Sequence, residues 1–167
     1  IGLVRFHGYV DQQVLEFTQN CSIGLSETRK VIYRKEFGGF CDSSIDWSNN
    51  DILLGERSLP IEISRGCIFK CAFCRYPLNG KKKLDHIKHP EVLYSELMRN
   101  YEMFGVTDYL FTDDTYNDSL VKMRNIKSVL DRLPFQINFS TYLRLDLLIR
   151  NKDMAALLRD SGLIGGF

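Results

Sequence analysis

Four short apolar segments alternate with three amphipathic segments between residues 58 and 167. The apolar segments have the length and pattern of β-strands, and the amphipathic ones repeat apolar residues at helical spacing. The strand segments are LPIEIS, DYLFT, FQINFSTYL and LIGGF, and the helical segments are PEVLYSELMRNYEMFG, SLVKMRNIKSVLDRL and KDMAALLRDS. Crossovers of this length connect parallel strands. The sequence therefore predicts an α/β fold, a partial TIM-like (βα) barrel with parallel strands.

The ends of the predicted helices carry start and stop signals. Pro90 suits the first turn of the first helix and Gly105 its end. Asp118 and Asn151 are the expected N-caps of the second and third helices. In such a fold, the loops at the carboxyl ends of the strands form one functional face. The cysteine-rich loop, the segment DDTYN and the segment RLD are expected on that face.

The chain changes character near residue 57. Upstream of it, GLVRFHGYV is typical of a strand and DQQVLEFTQN of a short helix, and neither carries recognisable chemistry. We therefore divide the chain into an amino-terminal extension of unknown role, residues 1–57, and a core, residues 58–167. The first residue is Ile, and the chain stops where LIGGF begins a strand. We expect a fragment, truncated after about the fourth strand.

The composition narrows the possible functions. Hydrophobic residues make up 44% of the chain, enough for a sizeable core. The 22 basic and 21 acidic side chains nearly cancel, so nucleic-acid binding is not indicated. No apolar run approaches the roughly 20 residues that span a bilayer, and the amino terminus does not have the layout of a secretory signal. A soluble cytoplasmic protein without a membrane partner is expected.

Three of the five cysteines, Cys67, Cys71 and Cys74, lie within eight residues. An odd number of cysteines with three close together fits metal binding in a reducing compartment better than a disulfide framework. Cys21 and Cys41 are interpreted as small buried hydrophobic residues.

The three clustered thiols allow several interpretations. They are spaced to share one face of a helix, although Gly66 and Pro77 leave little room for that helix. A structural zinc site normally has four protein ligands, so it would need His86, His89 or a distant cysteine. A ferredoxin site would also have four thiolates. A [4Fe–4S] cluster held by three cysteines leaves one iron without a protein ligand, and such a position can bind a substrate or cofactor.

The segment CIFKCAFC, directly after a strand in a βα series, resembles the cluster-binding signature of the radical S-adenosylmethionine (SAM) enzymes. The resemblance extends over residues 58–167 and is to the barrel domain of the cobalamin-dependent and methylthiotransferase-like subgroup. It implies that the three cysteines bind a [4Fe–4S] cluster whose fourth iron is chelated by the methionine part of SAM. Reductive cleavage of SAM would give a 5′-deoxyadenosyl radical that takes hydrogen from an unknown substrate. An electron donor such as flavodoxin or ferredoxin is implied as a partner.

The resemblance also implies cofactor-binding roles for four further residues. Phe73 resembles the aromatic residue that the family sets against the adenine, although it could simply pack within the loop. Asp113 and Asp114 depart from the Gly-Gly-Glu-like segment of the family but keep an acidic group to pair with the methionine amine, unless they serve a turn or a helix cap. Arg144 could pair with the methionine carboxylate or form a surface ion pair. No catalytic residue is identified.

Cobalamin is not supported by this chain. The subgroup usually marks its cobalamin domain with an Asp-x-His-x-x-Gly pattern, and the nearest segment, RFHGYV, does not match it. The main alternative function is an iron–sulfur or zinc-binding module without SAM chemistry. A third possibility is an inactive truncated domain.

Overall fold

The computed structural model describes residues 40–48, 58–76, 78–82 and 86–167, together with the backbone of residues 4–8 and 30–34. The chain divides into two compact units, Ile1–Gly39 and Phe40–Phe167. The larger unit thus begins upstream of residue 57, where the sequence changes character. The helix expected at residues 11–20 and Cys21 lie outside the described residues.

The smaller unit contains a pair of described strands. β1 (Val4–Gly8) and β2 (Lys30–Arg34) are parallel, and Val4 lies opposite Lys30. β1 confirms the strand expected in GLVRFHGYV, whereas β2 was not anticipated from the sequence.

The described part of the larger unit is built on a parallel sheet of four strands. These are β3 (Ser58–Glu62), β4 (Asp108–Thr112), β5 (Asn138–Thr141) and β6 (Leu163–Gly166). The strands are adjacent in the order β3-β4-β5-β6, and each neighbouring pair is parallel. Helices alternate with the strands along the chain. The α/β class and the partial βα-barrel arrangement predicted from the sequence are therefore confirmed.

The helices of the described part of this unit are α1 (Pro90–Phe104), α2 (Leu120–Leu130), α3 (Leu145–Arg150) and α4 (Lys152–Arg159). α1 begins at Pro90 and ends where Gly105, at φ +66°, donates its N–H to the carbonyl of Tyr101. Asn151 caps α4 by accepting the N–H of Asp153, as expected. The short helix α3 was not anticipated. None of these helices has the length and apolarity to cross a membrane.

The N-cap of α2 is Ser119, so the prediction of Asp118 in this role is wrong. Ser119 Oγ accepts the N–H of Lys122 at 3.4 Å. Asp118 instead ends the 3₁₀ turn Tyr116–Asp118, where its carboxylate is buried against the Lys122 ammonium group. Serine and aspartate are equally good caps. The outcome follows from the buried lysine, which attracts the aspartate carboxylate away from the helix terminus.

The hydrophobic core joins the sheet to the helices. Ile61, Phe111 and Phe139 come from three neighbouring strands and are fully buried, and the Phe111 and Phe139 rings stack with their centroids 4.2 Å apart. Leu93 and Leu97 of α1 are buried in the same cluster. Because the strands are parallel, the loops that follow β3, β4 and β5 leave this packed core at the same end of the sheet.

Candidate functional site

Loops from three consecutive strands enclose a pocket of about 360 Å³. The cysteine loop follows β3, the segment 113–118 follows β4, and Arg144 follows β5. The pocket is lined by Cys67, Phe69, Cys71, Phe73, Cys74, Tyr76, Asn79, Asp114, Thr115 and Arg144. The structure therefore brings all three clustered cysteines together with Phe73, Asp114 and Arg144, as the sequence analysis expected of neighbouring strand ends.

The cysteine loop folds back on itself and is not helical. Cys67 donates its N–H to the carbonyl of Leu78 at 3.2 Å and accepts the N–H of Lys81 at 3.0 Å. Gly66 permits this return, because it has a φ of +101° and a Cβ there would lie 2.8 Å from the Leu78 carbonyl oxygen. Residues 67–76 contain no helix, so the three cysteines do not share a helical face.

The three thiols differ in burial and in their hydrogen-bond partners. Cys67 is only 9% exposed, and its Sγ lies 3.4 Å from Thr115 Oγ1 and accepts the N–H of Phe69 at 3.4 Å. Cys71 and Cys74 are half-buried. A hydrogen bond from the Asn79 side chain, followed by one from the backbone of Tyr76, lowers the pKa of the Cys74 thiol. Hydrogen bonds of this kind favour the thiolate form that binds metals.

Arg144 reaches the pocket with one of its guanidinium nitrogens. Nη1 donates to Cys71 Sγ at 3.6 Å, whereas Nε and Nη2 donate to the two carboxylate oxygens of Asp146 at 3.0 and 3.1 Å. The guanidinium also lies over the ring of Phe69, 4.1 Å from its centroid. The hydrogen bonds to Asp146 raise the pKa of Arg144. The arginine is thus held as a fixed positive charge beside Cys71.

The side chains of the adjacent residues Asp113 and Asp114 lie in different environments. Asp113 is buried, where Oδ2 accepts from Lys122 Nζ at 2.9 Å and Oδ1 accepts the N–H of Thr115 at 3.0 Å. Asp114 lines the pocket, and its Oδ2 accepts the N–H of Gly66 at 3.1 Å. Burial raises the pKa of the Asp114 carboxyl, against the hydrogen bond from Gly66 that lowers it. The structure therefore places Asp114 in the pocket and Asp113 outside its lining.

Phe73 is 88% exposed, although it lies on the pocket wall. A ring that packed within its own loop would be covered, so the simpler interpretation of Phe73 does not account for its position. The ring is accessible to a ligand that enters the pocket.

The donor set has the ligand chemistry of an iron–sulfur cluster site, but its thiols do not converge on a single metal ion. Three cysteines that are free of disulfides line the pocket, and two backbone or side-chain groups donate to their sulfur atoms. Within the described residues, no group of three or more His, Cys, Asp or Glu side chains converges closely enough to hold a single metal ion. A tetrahedral zinc ion needs its thiolates at about 4 Å from one another. In a [4Fe–4S] cluster the cysteines bind different irons.

Three residues of the site region were not predicted from the sequence: Thr115, Asn117 and Lys122. Thr115 contacts Cys67, and the buried Asn117 side chain binds the backbone of Arg144. Lys122 is a charged residue on the inward face of α2, four positions after Asp118. A lysine among Met123, Ile126 and Leu130 was a readable sign of a buried ion pair, whereas nothing in the sequence marked Thr115 or Asn117.

In comparisons with known proteins, no protein-family model, no curated protein and no solved structure matches this chain.

Proposed function

We propose that this chain is a radical SAM enzyme, or a piece of one, that binds a [4Fe–4S] cluster through Cys67, Cys71 and Cys74. The single observation that carries the proposal is the pocket, in which the three thiols of one loop meet Asp114 and Arg144 from the ends of the next two strands. A cluster bound there supplies, when reduced, the electron for cleavage of SAM to a 5′-deoxyadenosyl radical. An electron donor such as flavodoxin or ferredoxin and a cytoplasmic location are part of the proposal.

The residues around the thiols support anionic sulfur ligands. The Phe69 N–H and the Arg144 guanidinium donate to Cys67 and Cys71, and hydrogen bonding lowers the pKa of Cys74. Hydrogen bonds to sulfur and a neighbouring positive charge stabilise thiolate ligands and tune the potential of the metal that they bind. No fourth cysteine lines the pocket in the described part of the chain. The donor set is that of a site with one open metal position.

The polar groups of the pocket suit the two charged ends of an amino acid. The Asp114 carboxylate is available to an ammonium group, because within the described residues it accepts one hydrogen bond, from the Gly66 N–H. Arg144 offers a positive charge to a carboxylate, although two of its nitrogens already contact Asp146. Charge-assisted hydrogen bonds of both signs would orient the methionine part of SAM. Phe73 would lie against the adenine, where an exposed ring can stack on a base.

Anaerobic reconstitution with iron and sulfide tests this proposal directly. We expect about four irons and four sulfides per chain and a spectrum that changes when SAM is added. Single changes of Cys67, Cys71 and Cys74 to Ala should abolish the intact cluster. Cys41→Ala is the matched control, because Cys41 is a half-buried cysteine outside the pocket lining. Cys21→Ala is a second control, since Cys21 is not expected to be a ligand.

The alternative, a zinc or iron–sulfur module without SAM chemistry, predicts different results. If the protein binds stoichiometric zinc and no iron, the radical SAM proposal is wrong. A four-iron cluster whose spectrum does not respond to SAM would favour an electron-transfer module. Loss of the cluster in the Cys41 or Cys21 variant would show that the ligand set is wrong.

A further inference from the structure

Lys122 is a fully buried lysine whose ammonium group has three oxygen partners. Nζ lies 2.9 Å from Asp113 Oδ2, 2.7 Å from Asp118 Oδ1 and 2.8 Å from the carbonyl oxygen of Thr115. The side chains of Lys122 and Asp113 are 0% exposed, and that of Asp118 is 1% exposed. The contacts to Asp113 and to the Thr115 carbonyl are hydrogen bonds, and the contact to Asp118 is an ion pair. We call Lys122, Asp113 and Asp118 the buried triad.

The buried triad holds Thr115 through both of its backbone polar groups. The Thr115 carbonyl accepts from Lys122, and the Thr115 N–H donates to Asp113 Oδ1 at 3.0 Å. Because the backbone is bound on both sides, the direction of the Thr115 side chain is set by the triad. That side chain lies 3.4 Å from Cys67 Sγ.

The contact between Thr115 and Cys67 is itself constrained. The Thr115 hydroxyl donates its single hydrogen to the carbonyl of Asp114 at 2.6 Å, so in the thiol state Cys67 is the donor to Thr115 Oγ1. The same turn makes a second link to the cysteine loop, because Asp114 Oδ2 accepts the N–H of Gly66, the residue before Cys67. The turn 113–115 therefore fixes the first cysteine from two sides.

A purely stabilising role would not need these charges. Removal of three charged groups from water is costly, and well-packed apolar residues of similar volume often stabilise a fold as well or better. Lys122 sits beside Met123 and Ile126 on the buried face of α2, where an apolar residue would serve the core. The charges add specificity of position, since the Lys122 ammonium group binds the carbonyl of one particular residue of the turn, Thr115.

We propose that Lys122 is a positioning residue for the metal-binding loop: through the backbone of Thr115 it holds the threonine hydroxyl against Cys67 and keeps that thiol in place before a metal arrives. The inference concerns the protein loop and holds whether the cysteines take an iron–sulfur cluster or zinc. It therefore does not rest on SAM chemistry.

The test compares the reactivity of Cys67 with that of Cys74 in the reduced 167-residue chain without added metal. Iodoacetamide labelling at a fixed pH, read out for each cysteine by peptide mass spectrometry, gives the two rates in the same molecule. In the wild type we expect Cys67 to react much more slowly than Cys74, because Cys67 is buried and Cys74 is half-buried.

Because Lys122→Met alone would leave two buried carboxylates without a counter-charge, it is combined with Asp113→Asn and Asp118→Asn. This neutral triple variant keeps the shapes and the acceptor for the Thr115 N–H but loses the ammonium donor. We expect its ratio of Cys67 to Cys74 labelling to rise severalfold, and no more than in Thr115→Val, because the Thr115 carbonyl loses its charge-assisted hydrogen bond and the hydroxyl is no longer held against Cys67. Thr115→Val should raise the ratio severalfold. Thr115→Ser, which keeps the hydroxyl, should have the same ratio as the wild type.

The decisive observation is the combination of the triple variant with Thr115→Val. If Lys122 acts through the Thr115 hydroxyl, the triple change adds nothing once that hydroxyl is gone, so the combined ratio equals that of Thr115→Val alone, whereas independent effects multiply. Ile126→Val, which removes one buried methyl group from the same helix, is the control for a general loss of stability and should leave the ratio unchanged. Multiplying effects, an unchanged ratio in the triple variant, an equal rise in Ile126→Val, or equal labelling of Cys67 and Cys74 in the wild type would each overturn the proposal.

Discussion

Asn117 holds the backbone of Arg144 with both ends of its side-chain amide. Oδ1 accepts the Arg144 N–H at 2.9 Å, and Nδ2 donates to the Arg144 carbonyl at 2.9 Å. Asn117 is fully buried, in the 3₁₀ turn that follows β4, whereas Arg144 lies after β5. The pairing of β4 with β5 ends at Thr141, and beyond it the Asn117 amide makes two hydrogen bonds between the two chain segments. It thereby joins the loop after β4 to the loop after β5.

Asn117→Ala should therefore destabilise the fold and displace Arg144. Loss of both hydrogen bonds leaves the partly buried Arg144 N–H without the acceptor that it has in Asn117, whereas the Arg144 carbonyl keeps the N–H of Leu147. An unpaired group of this kind costs roughly 1–3 kcal/mol in the free energy of unfolding. Urea denaturation measures this cost, and titration of the reconstituted protein with SAM measures the effect on the site. Asn138→Ala is the control, because Asn138 is exposed and its side-chain amide donates to Asp108 Oδ1 at 3.1 Å. An Asn117→Ala variant as stable as the Asn138→Ala variant would contradict the structural role of this amide.

We expect Asp114 to contribute to ligand binding and Asp113 to contribute to the stability of the fold. Asp114→Asn keeps an acceptor for the Gly66 N–H but removes the charge that faces the pocket. We expect SAM affinity to fall more than about tenfold with unchanged iron content, since a charge-assisted contact contributes roughly 1.5–3 kcal/mol. Binding is measured by the spectral change that SAM causes in the reconstituted protein.

Asp113→Asn is the matched comparison for Asp114→Asn. It weakens the contact with the buried Lys122 ammonium group, so it should lower the urea midpoint while the folded protein keeps its SAM affinity. If Asp113→Asn weakens SAM binding as much as Asp114→Asn does, the division of roles between the two residues is wrong.

The fold could be predicted from the sequence because each strand and helix carries its own pattern. β4 coincides with the segment DYLFT, and α1 begins and ends at the predicted Pro90 and Gly105. β5 is shorter than FQINFSTYL suggests and begins at Asn138. The reason is a contact that no local pattern contains: the Phe135 ring stacks on Tyr101 of α1, with centroids 3.8 Å apart, and does not enter the sheet.

The site could be predicted only as far as residue type and strand ends allow. Three cysteines after β3 and acidic residues after β4 indicated where ligands would gather. The sequence could not distinguish Asp113 from Asp114, because adjacent identical residues differ only in what packs against them, and the deciding partner, Lys122, lies on α2. Thr115 and Asn117 act across loops, at 48 and 27 residues from their partners, so no spacing rule marks them.

Gly66→Ala should disrupt the cysteine loop more than a glycine replacement elsewhere. At φ +101°, a Cβ would be strained and would lie 2.8 Å from the Leu78 carbonyl oxygen and 3.1 Å from Leu78 Cβ. Strain of this kind costs roughly 1–3 kcal/mol, and relief requires movement of the backbone that carries Cys67. We expect a lower urea midpoint together with reduced iron content after reconstitution.

Gly105→Ala is the control for the glycine prediction. Gly105 has a φ of +66° but no atom within 4 Å of a Cβ, and it lies at the end of α1. Its replacement should cost roughly 1–2 kcal/mol in stability and leave the iron content unchanged. If Gly66→Ala and Gly105→Ala lose iron equally, the loss is not caused by strain at Gly66 in the cysteine loop.

The stability of the protein should depend on pH through Asp118. Burial raises the pKa of the Asp118 carboxyl, and Lys122 offsets this only in part. Between the ordinary aspartate pKa of about 3.9 and the raised folded value, the folded chain binds more protons than the unfolded chain. The Asp118 contribution to the free energy of unfolding therefore decreases as the pH rises through this window and is constant above it.

Asp118→Asn removes that contribution and should leave a flatter pH profile. The measurement is the difference in urea midpoint between wild type and Asp118→Asn at a series of pH values from about 4 to about 7. As the pH rises, the urea midpoint of Asp118→Asn should increase relative to that of the wild type. A difference that stays constant, or that favours the wild type at higher pH, would show that the ion pair with Lys122 outweighs burial.

Phe73 should contribute to SAM binding and very little to folding. The ring is 88% exposed on the pocket wall, so its truncation removes almost no buried surface, and Phe73→Ala should change the free energy of unfolding by no more than about 0.5 kcal/mol. Stacking of an aromatic side chain on a base contributes roughly 1–3 kcal/mol, which corresponds to a loss of SAM affinity of at least about fivefold. Phe73→Tyr keeps the aromatic face and should bind SAM as the wild type does. The pair of variants separates stacking from loop folding, because a folding role would appear in the urea midpoint of Phe73→Ala. If Phe73→Ala binds SAM normally, the adenine lies elsewhere and the exposed ring has another role.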